Sequence, residues 1–117
     1  LQVADDRERA RREAGLQIGF YATTRTYTPV LALHGFEDRV APLRRAYASG
    51  DMNALVELAM PMVDTFAITG SVEECREGLA AFDGLVDRIV LGGAWVGPQD
   101  AVAENHRRVL ESFRPAE

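Results

Sequence analysis

Residues 18–35 read IGFYATTRTYTPVLALHG, and the assignment of their first few residues decides the fold. Residues 17–22 have the composition of a short buried strand, with aromatic side chains gathered at its end. Small hydroxyls then break the pattern. An apolar helix follows from Thr28, with Pro29 tolerated in its first turn and Gly35 stopping it. Two threonines, two tyrosines and a histidine thus sit around the end of an expected strand.

Working outward, residues 5–14 (DDRERARREA) form a charged surface helix, with Gly15 placed where a helix would stop. The chain starts at Leu1 in what reads as a loop or helix end, which suggests a cut fragment. Residues 37–49 contain a further helix, started or broken by Pro42 and closed by Gly50. Residues 52–64 are apolar around most of the helical circumference and predict a helix buried on more than one side. Pro61 should kink or end it. A short strand is expected over residues 66–69. Beyond Gly70, Ser71 with Glu74 makes a capping box, which predicts a helix over residues 72–82. Residues 86–91 (VDRIVL) predict another strand running into Gly92 and Gly93. Pro98 opens a final helix carrying Val102, Val109, Leu110 and Phe113 on one side.

Strands alternating with helices imply a parallel sheet with right-handed crossovers. Three parallel strands alone would leave both sheet edges unpaired and much apolar helix surface bare. The pattern is therefore that of an α/β chain supplying the last three β/α units of a (β/α)8 barrel, an incomplete barrel. The whole chain, residues 1–117, is then a single partial domain.

Composition narrows the function. An apolar fraction of 47% in 117 residues supplies one core. A net charge of −5 offers no basic surface for nucleic acid. All 13 basic residues are arginine, which excludes a lysine Schiff base and a phosphate-loop lysine. The lone Cys75 fits a reducing, cytoplasmic setting. No apolar run approaches the ~20 residues of a membrane span.

At the C-terminal ends of barrel strands, where catalytic groups gather, Tyr21, Thr23 and Thr24 would face an active-site mouth. The threonine hydroxyls either donate to a ligand carbonyl or phosphate, or cap the next helix. Tyr27 either joins them or packs beneath the helix, the packing role being favoured. His34 can protonate a substrate oxygen, but its place before Gly35 favours a structural bond to the last carbonyls. Gly92 and Gly93 allow close ligand approach, and Trp95 either covers a flat ring or seals the barrel end. At the turn of Gly70 and Ser71 a phosphate would meet Glu73 and Glu74, so capping wins there. Cys75 reads as an inert thiol. The two histidines lack the companions of a metal site, and no metal is expected.

The stretches FYATTRTYTPVLALHG, TFAITGSVEEC and GLVDRIVL together resemble the C-terminal part of the luciferase-like monooxygenase superfamily. Within it the chain is similar to the deazaflavin-dependent (coenzyme F-420) oxidoreductases of actinobacteria. The resemblance implies hydride transfer to or from a small organic substrate. It implies F-420 as cofactor, with FMN as the alternative, bound mainly by residues outside this chain. The chain would close the barrel and form one side of the substrate mouth, inactive when isolated, against the rest of the barrel or a second subunit. The competing expectation is a small non-catalytic α/β protein-binding module.

Overall fold

Asp6 accepts a hydrogen bond from Arg9 N at 3.1 Å, and this cap starts the helix α1, Arg7–Ala22. The computed structural model describes residues 1–115. The helix passes straight through Gly15, so neither the expected stop there nor the strand over residues 17–22 exists. The reason is packing. Ala10, Ala14, Gly15, Gly19 and Ala22 form a stripe of small buried residues along α1, and the helix α4, Met52–Ala59, lies against it. A Cβ on Gly19 would stand 3.0 Å from Leu55 Cγ. Gly15 and Gly19 therefore serve a close helix crossing, not a chain reversal. The apolar residues between them belong to a helix face.

The other helices follow the expected order. They are α2 (Thr28–Leu33), α3 (Val40–Ala48), α4 and α5 (Val63–Phe66). Gly35 and Gly50 take positive φ, +79° and +74°, and end α2 and α3 as anticipated. Pro61 lies in the tight turn Met60–Met62 that separates α4 from α5. Leu31, Leu43, Leu55, Ala59 and Met62 make the main core between these helices and α1. The apolar stretch expected as one helix over residues 52–64 is thus two helices and a turn, and its buried residues Leu55, Ala59 and Met62 face this core. Arg11 pairs with Asp64 and Arg12 with Glu57, lashing α1 to its neighbours. Such exposed pairs contribute little.

A parallel sheet of two very short strands lies beside this helical layer. β1 (Gln2–Val3) pairs with β2 (Thr69–Gly70) in the register Gln2 to Thr69 and Val3 to Gly70. The first residues are thus strand where a loop or helix end was expected. The strand expected at residues 66–69 is displaced toward Gly70, because Phe66 still belongs to α5. Among the described residues the outer edge of β1 carries no third strand. There the Asn105 side-chain amide accepts from Val3 N at 2.8 Å and donates to Leu1 O at 3.2 Å. Leu1 N donates to Gly92 O at 2.7 Å on that same edge. One side chain and one carbonyl take the bonds that a neighbouring strand would make.

The capping box at Ser71 and Glu74 is fully formed and opens α6 (Val72–Ala80). The strand expected over residues 86–91 is absent: this segment joins no ladder, and Leu85 and Val90 are 76% and 87% exposed. Pro98 precedes α7 (Gln99–Ser112), of which Val109 is buried while Leu110 faces outward. Val3, Cys75 and Val109 form a second, smaller core. The fold is a mixed α/β arrangement, mostly helical, with two parallel strands among the described residues. No helix among them is long and apolar enough to cross a membrane.

Candidate functional site

The C-terminal half of α1 turns Gln17, Tyr21 and Phe20 toward residues 92–96, and hydrogen bonds sew that loop in place. Gln17 Oε1 accepts from both Trp95 N (2.6 Å) and Val96 N (3.0 Å). Gln2, buried in β1, accepts from Ala94 N at 3.3 Å through Oε1. Its Nε2 donates to Glu13 on α1 at 2.6 Å, and Glu13 is held in turn by Arg9. Three main-chain N–H groups that would otherwise lack partners are thereby satisfied. The loop cannot drift without breaking them.

The indole of Trp95 is fixed as well. Its Nε1 donates to Tyr21 Oη at 2.7 Å. The Trp95 ring stands edge-on to Phe20 and Tyr21, each at 5.9 Å between centroids. Tyr27 meets Tyr21 edge-on at 5.2 Å. These are favourable geometries for aromatic quadrupoles. The rings of Tyr21, Tyr27 and Trp95 wall an open cavity of ≈ 460 Å³ that also touches Phe66 and Leu31, with Phe20 packed behind them.

Of the residues expected at a mouth, Tyr21, Tyr27, Gly92, Gly93 and Trp95 line this cavity. The two glycines differ. A Cβ on Gly92 would meet nothing within 4 Å, so its backbone stays open to a ligand. One on Gly93 would strike Asn105 and His106, so Gly93 is required for packing on α7. Thr23, Thr24 and His34 stand apart from the cavity lining. The Thr23 hydroxyl turns back to Phe20 O at 2.6 Å, closing the end of α1 rather than capping the next helix. Thr24 is exposed and makes no side-chain cap. His34 sits exposed at the end of α2 with its ring edge-on to Phe66 at 5.3 Å. Because residues 17–22 are helical, the threonines mark the end of a helix and not the mouth of a strand.

Gln2, Gln17 and Phe66 were missed from the sequence. The sequence pattern reads Phe66 as strand, whereas it closes α5. The glutamines hold groups 78 and 92 positions away in the chain, a relation that no local pattern carries. Cys75 is buried, and burial, with Glu74 adding to it, pushes its thiol pKa up. Among the described residues no group of three His, Cys, Asp or Glu side chains could hold a metal. No arginine or histidine lines the aromatic cavity.

Among known proteins, the luciferase-like monooxygenase family is matched over residues 1–88. No curated protein matches the chain, and no solved structure does.

Proposed function

We propose, on the premise that this chain belongs to the luciferase-like monooxygenase family, that its aromatic cavity is one wall of the ring site of an oxidoreductase. Members of this family are flavin- or deazaflavin-type enzymes. The reading takes the deazaflavin F-420 as cofactor ahead of FMN, and a small organic substrate. When bound, the cofactor ring supplies the hydride chemistry. The residues of this chain do the rest of the work on this side. Tyr21, Tyr27 and Trp95 give flat apolar walls, Gly92 leaves its backbone accessible, and Gln17 and Gln2 keep the loop from moving.

The observation that carries the proposal is the cavity itself: ≈ 460 Å³, aromatic, open on one side and with no arginine or histidine side chain in its lining. Such a site fits the ring and not the phosphate of the cofactor, which in this reading is held by residues elsewhere in a complete barrel. The chain would then be the C-terminal portion of that barrel. The exposed apolar residues Leu85, Val86, Ile89 and Val90 support this, since residues 86–91 have the composition of a strand awaiting a neighbour. The remaining barrel, or a second subunit, would cover them. The same patch equally suits a non-catalytic module that binds a partner protein.

Titration with F-420, FMN and riboflavin tests the proposal, read by the emission of Trp95, the single tryptophan. Quenching by all three, whether or not the ligand carries phosphate, is the expected result. Absence of quenching by every one of them refutes the ring site. The absorbance of cofactor retained by the purified protein separates deazaflavin from FMN.

A further inference from the structure

The bond between Trp95 and Tyr21 fixes more than ring positions. An indole N–H can only donate, so in the 2.7 Å bond from Trp95 Nε1 the Tyr21 oxygen is the acceptor. The phenolic proton is therefore left over. Among the described residues the Tyr21 hydroxyl makes no other hydrogen bond than this one, and Tyr21 lines the cavity. The ring is held on three sides by Phe20 at 5.9 Å, Tyr27 at 5.2 Å and Trp95 at 5.9 Å. The oxygen cannot swing away without losing those contacts.

Two other lining side chains also carry donors without a partner among the described residues, Gln17 Nε2 and Tyr27 Oη, but of the lining hydroxyls only that of Tyr21 has its oxygen fixed by a hydrogen bond. The Gln17 carbonyl is occupied by two main-chain N–H groups. The Gln2 amide is committed at both ends, its oxygen to Ala94 N and its nitrogen to Glu13. We infer that Tyr21 is a ligand-orienting donor of this cavity, its direction set by Trp95, presenting its hydroxyl proton to a ring carbonyl on the edge of a planar aromatic ligand. Trp95 makes the assignment one-way: by filling the acceptor side of the oxygen it biases Tyr21 toward donation, and so selects carbonyl-bearing rings over plain hydrocarbons of equal area. The inference rests on the ring-site reading given above.

Two three-ring probes test it, lumichrome with ring carbonyls and phenanthrene without, titrated against the full chain and against Tyr21→Phe. Quenching of Trp95 reports both. The expected result is binding of both probes to the unaltered chain. Tyr21→Phe should then weaken lumichrome about 3- to 10-fold, the range of one neutral hydrogen bond, while phenanthrene changes less than about twofold. If the variant weakens both probes alike, or neither, the donor assignment is overturned and the ring site stands. If neither probe binds the unaltered chain, both fall. A second readout is independent of the variant's folding. The carbonyl stretch of lumichrome bound to the unaltered chain should lie below its position in an aprotic solvent, and an unshifted band overturns the assignment.

Discussion

The crossing of α1 and α4 makes a prediction whose sign depends on a few tenths of an ångström. Alanine in place of glycine inside a helix gains about 1 kcal/mol from backbone propensity alone. At Gly15 the new Cβ would find Met60 Sδ at 3.3 Å, with Val56 and Val63 methyls at 3.7 Å. The sulfur is the tip of a flexible, partly buried side chain that can step aside, so most of the gain survives. Gly15→Ala should stabilise by roughly 0.5 kcal/mol. At Gly19 the new Cβ would find Leu55 Cγ at 3.0 Å, Leu55 O at 3.2 Å and Ala59 Cβ at 3.4 Å. Leu55 is fully buried, and its carbonyl is part of the α4 backbone. Relief requires the helices to part, and overpacking of that kind costs about 1–3 kcal/mol. Gly19→Ala should therefore destabilise by about 1 kcal/mol, net of the propensity gain. The gap between the variants, roughly 1.5 kcal/mol, corresponds to about 6 °C in Tm for a chain of this size. Parallel thermal melts followed by far-ultraviolet circular dichroism measure it. Were Gly15 a helix stop in the left-handed region, alanine there would destabilise instead. A Gly19→Ala protein that melts at or above Gly15→Ala refutes the close crossing.

Three further outcomes are expected. Ser71→Ala removes the hydroxyl that accepts from Glu74 N and should cost about 1 kcal/mol, seen as a lower denaturant midpoint with unchanged slope. Asn105→Ala strips Val3 N of its buried acceptor and should cost about 1–3 kcal/mol; hydrogen exchange at the Val3 amide should speed up beyond the global change, and unaltered exchange would show that Asn105 does not hold β1. Cys75 has its thiol pKa raised by burial, so the folded chain keeps a proton that the unfolded chain releases above the ordinary thiol value of ~8.5. Stability is then unaffected by this group below that pH and falls as the pH rises through it, and alkylation of Cys75 at neutral pH should be slow until denaturant is added. A fast native reaction would contradict the burial.

Much of the helical layer was legible because its signals are local. The capping box of Ser71 and Glu74, the stops at Gly35 and Gly50, the break at Pro61 and the start after Pro98 each depend on a few adjacent residues, and each stands in the structure. Residues 17–22 misled because their small and apolar residues satisfy two periods at once. Gly15 and Gly19 lie four apart, on one helix face, and their meaning comes from residues elsewhere in the chain, Met60 and Val56 opposite Gly15 and Leu55 opposite Gly19. The aromatic and glycine members of the cavity were visible as residue types at a turn. Their partners were not, since Gln17 and Gln2 act on the loop through contacts that only the folded chain creates. The strands fared worst. β1 and β2 contribute two residues each, too few for any alternation to show.

Two strands of that length cannot hold a sheet together by their own ladder. The stabilising burial lies elsewhere, in the core that α1 shares with α3 and α4, where Leu43, Leu55 and Met62 are fully enclosed. The sheet is thus the less supported part of the molecule, and its outer edge is completed by Asn105 and Gly92 O instead of by a strand. The aromatic wall is tied to that sheet through Gln2 and Leu1, but its rings are held mainly from α1. Tyr21 and Gln17 ride on α1, and through them Trp95 is bound to the better-packed helical layer. The Tyr21 and Trp95 side of the cavity wall is therefore anchored on the better-packed helical layer, the placement that the proposed ring site calls for.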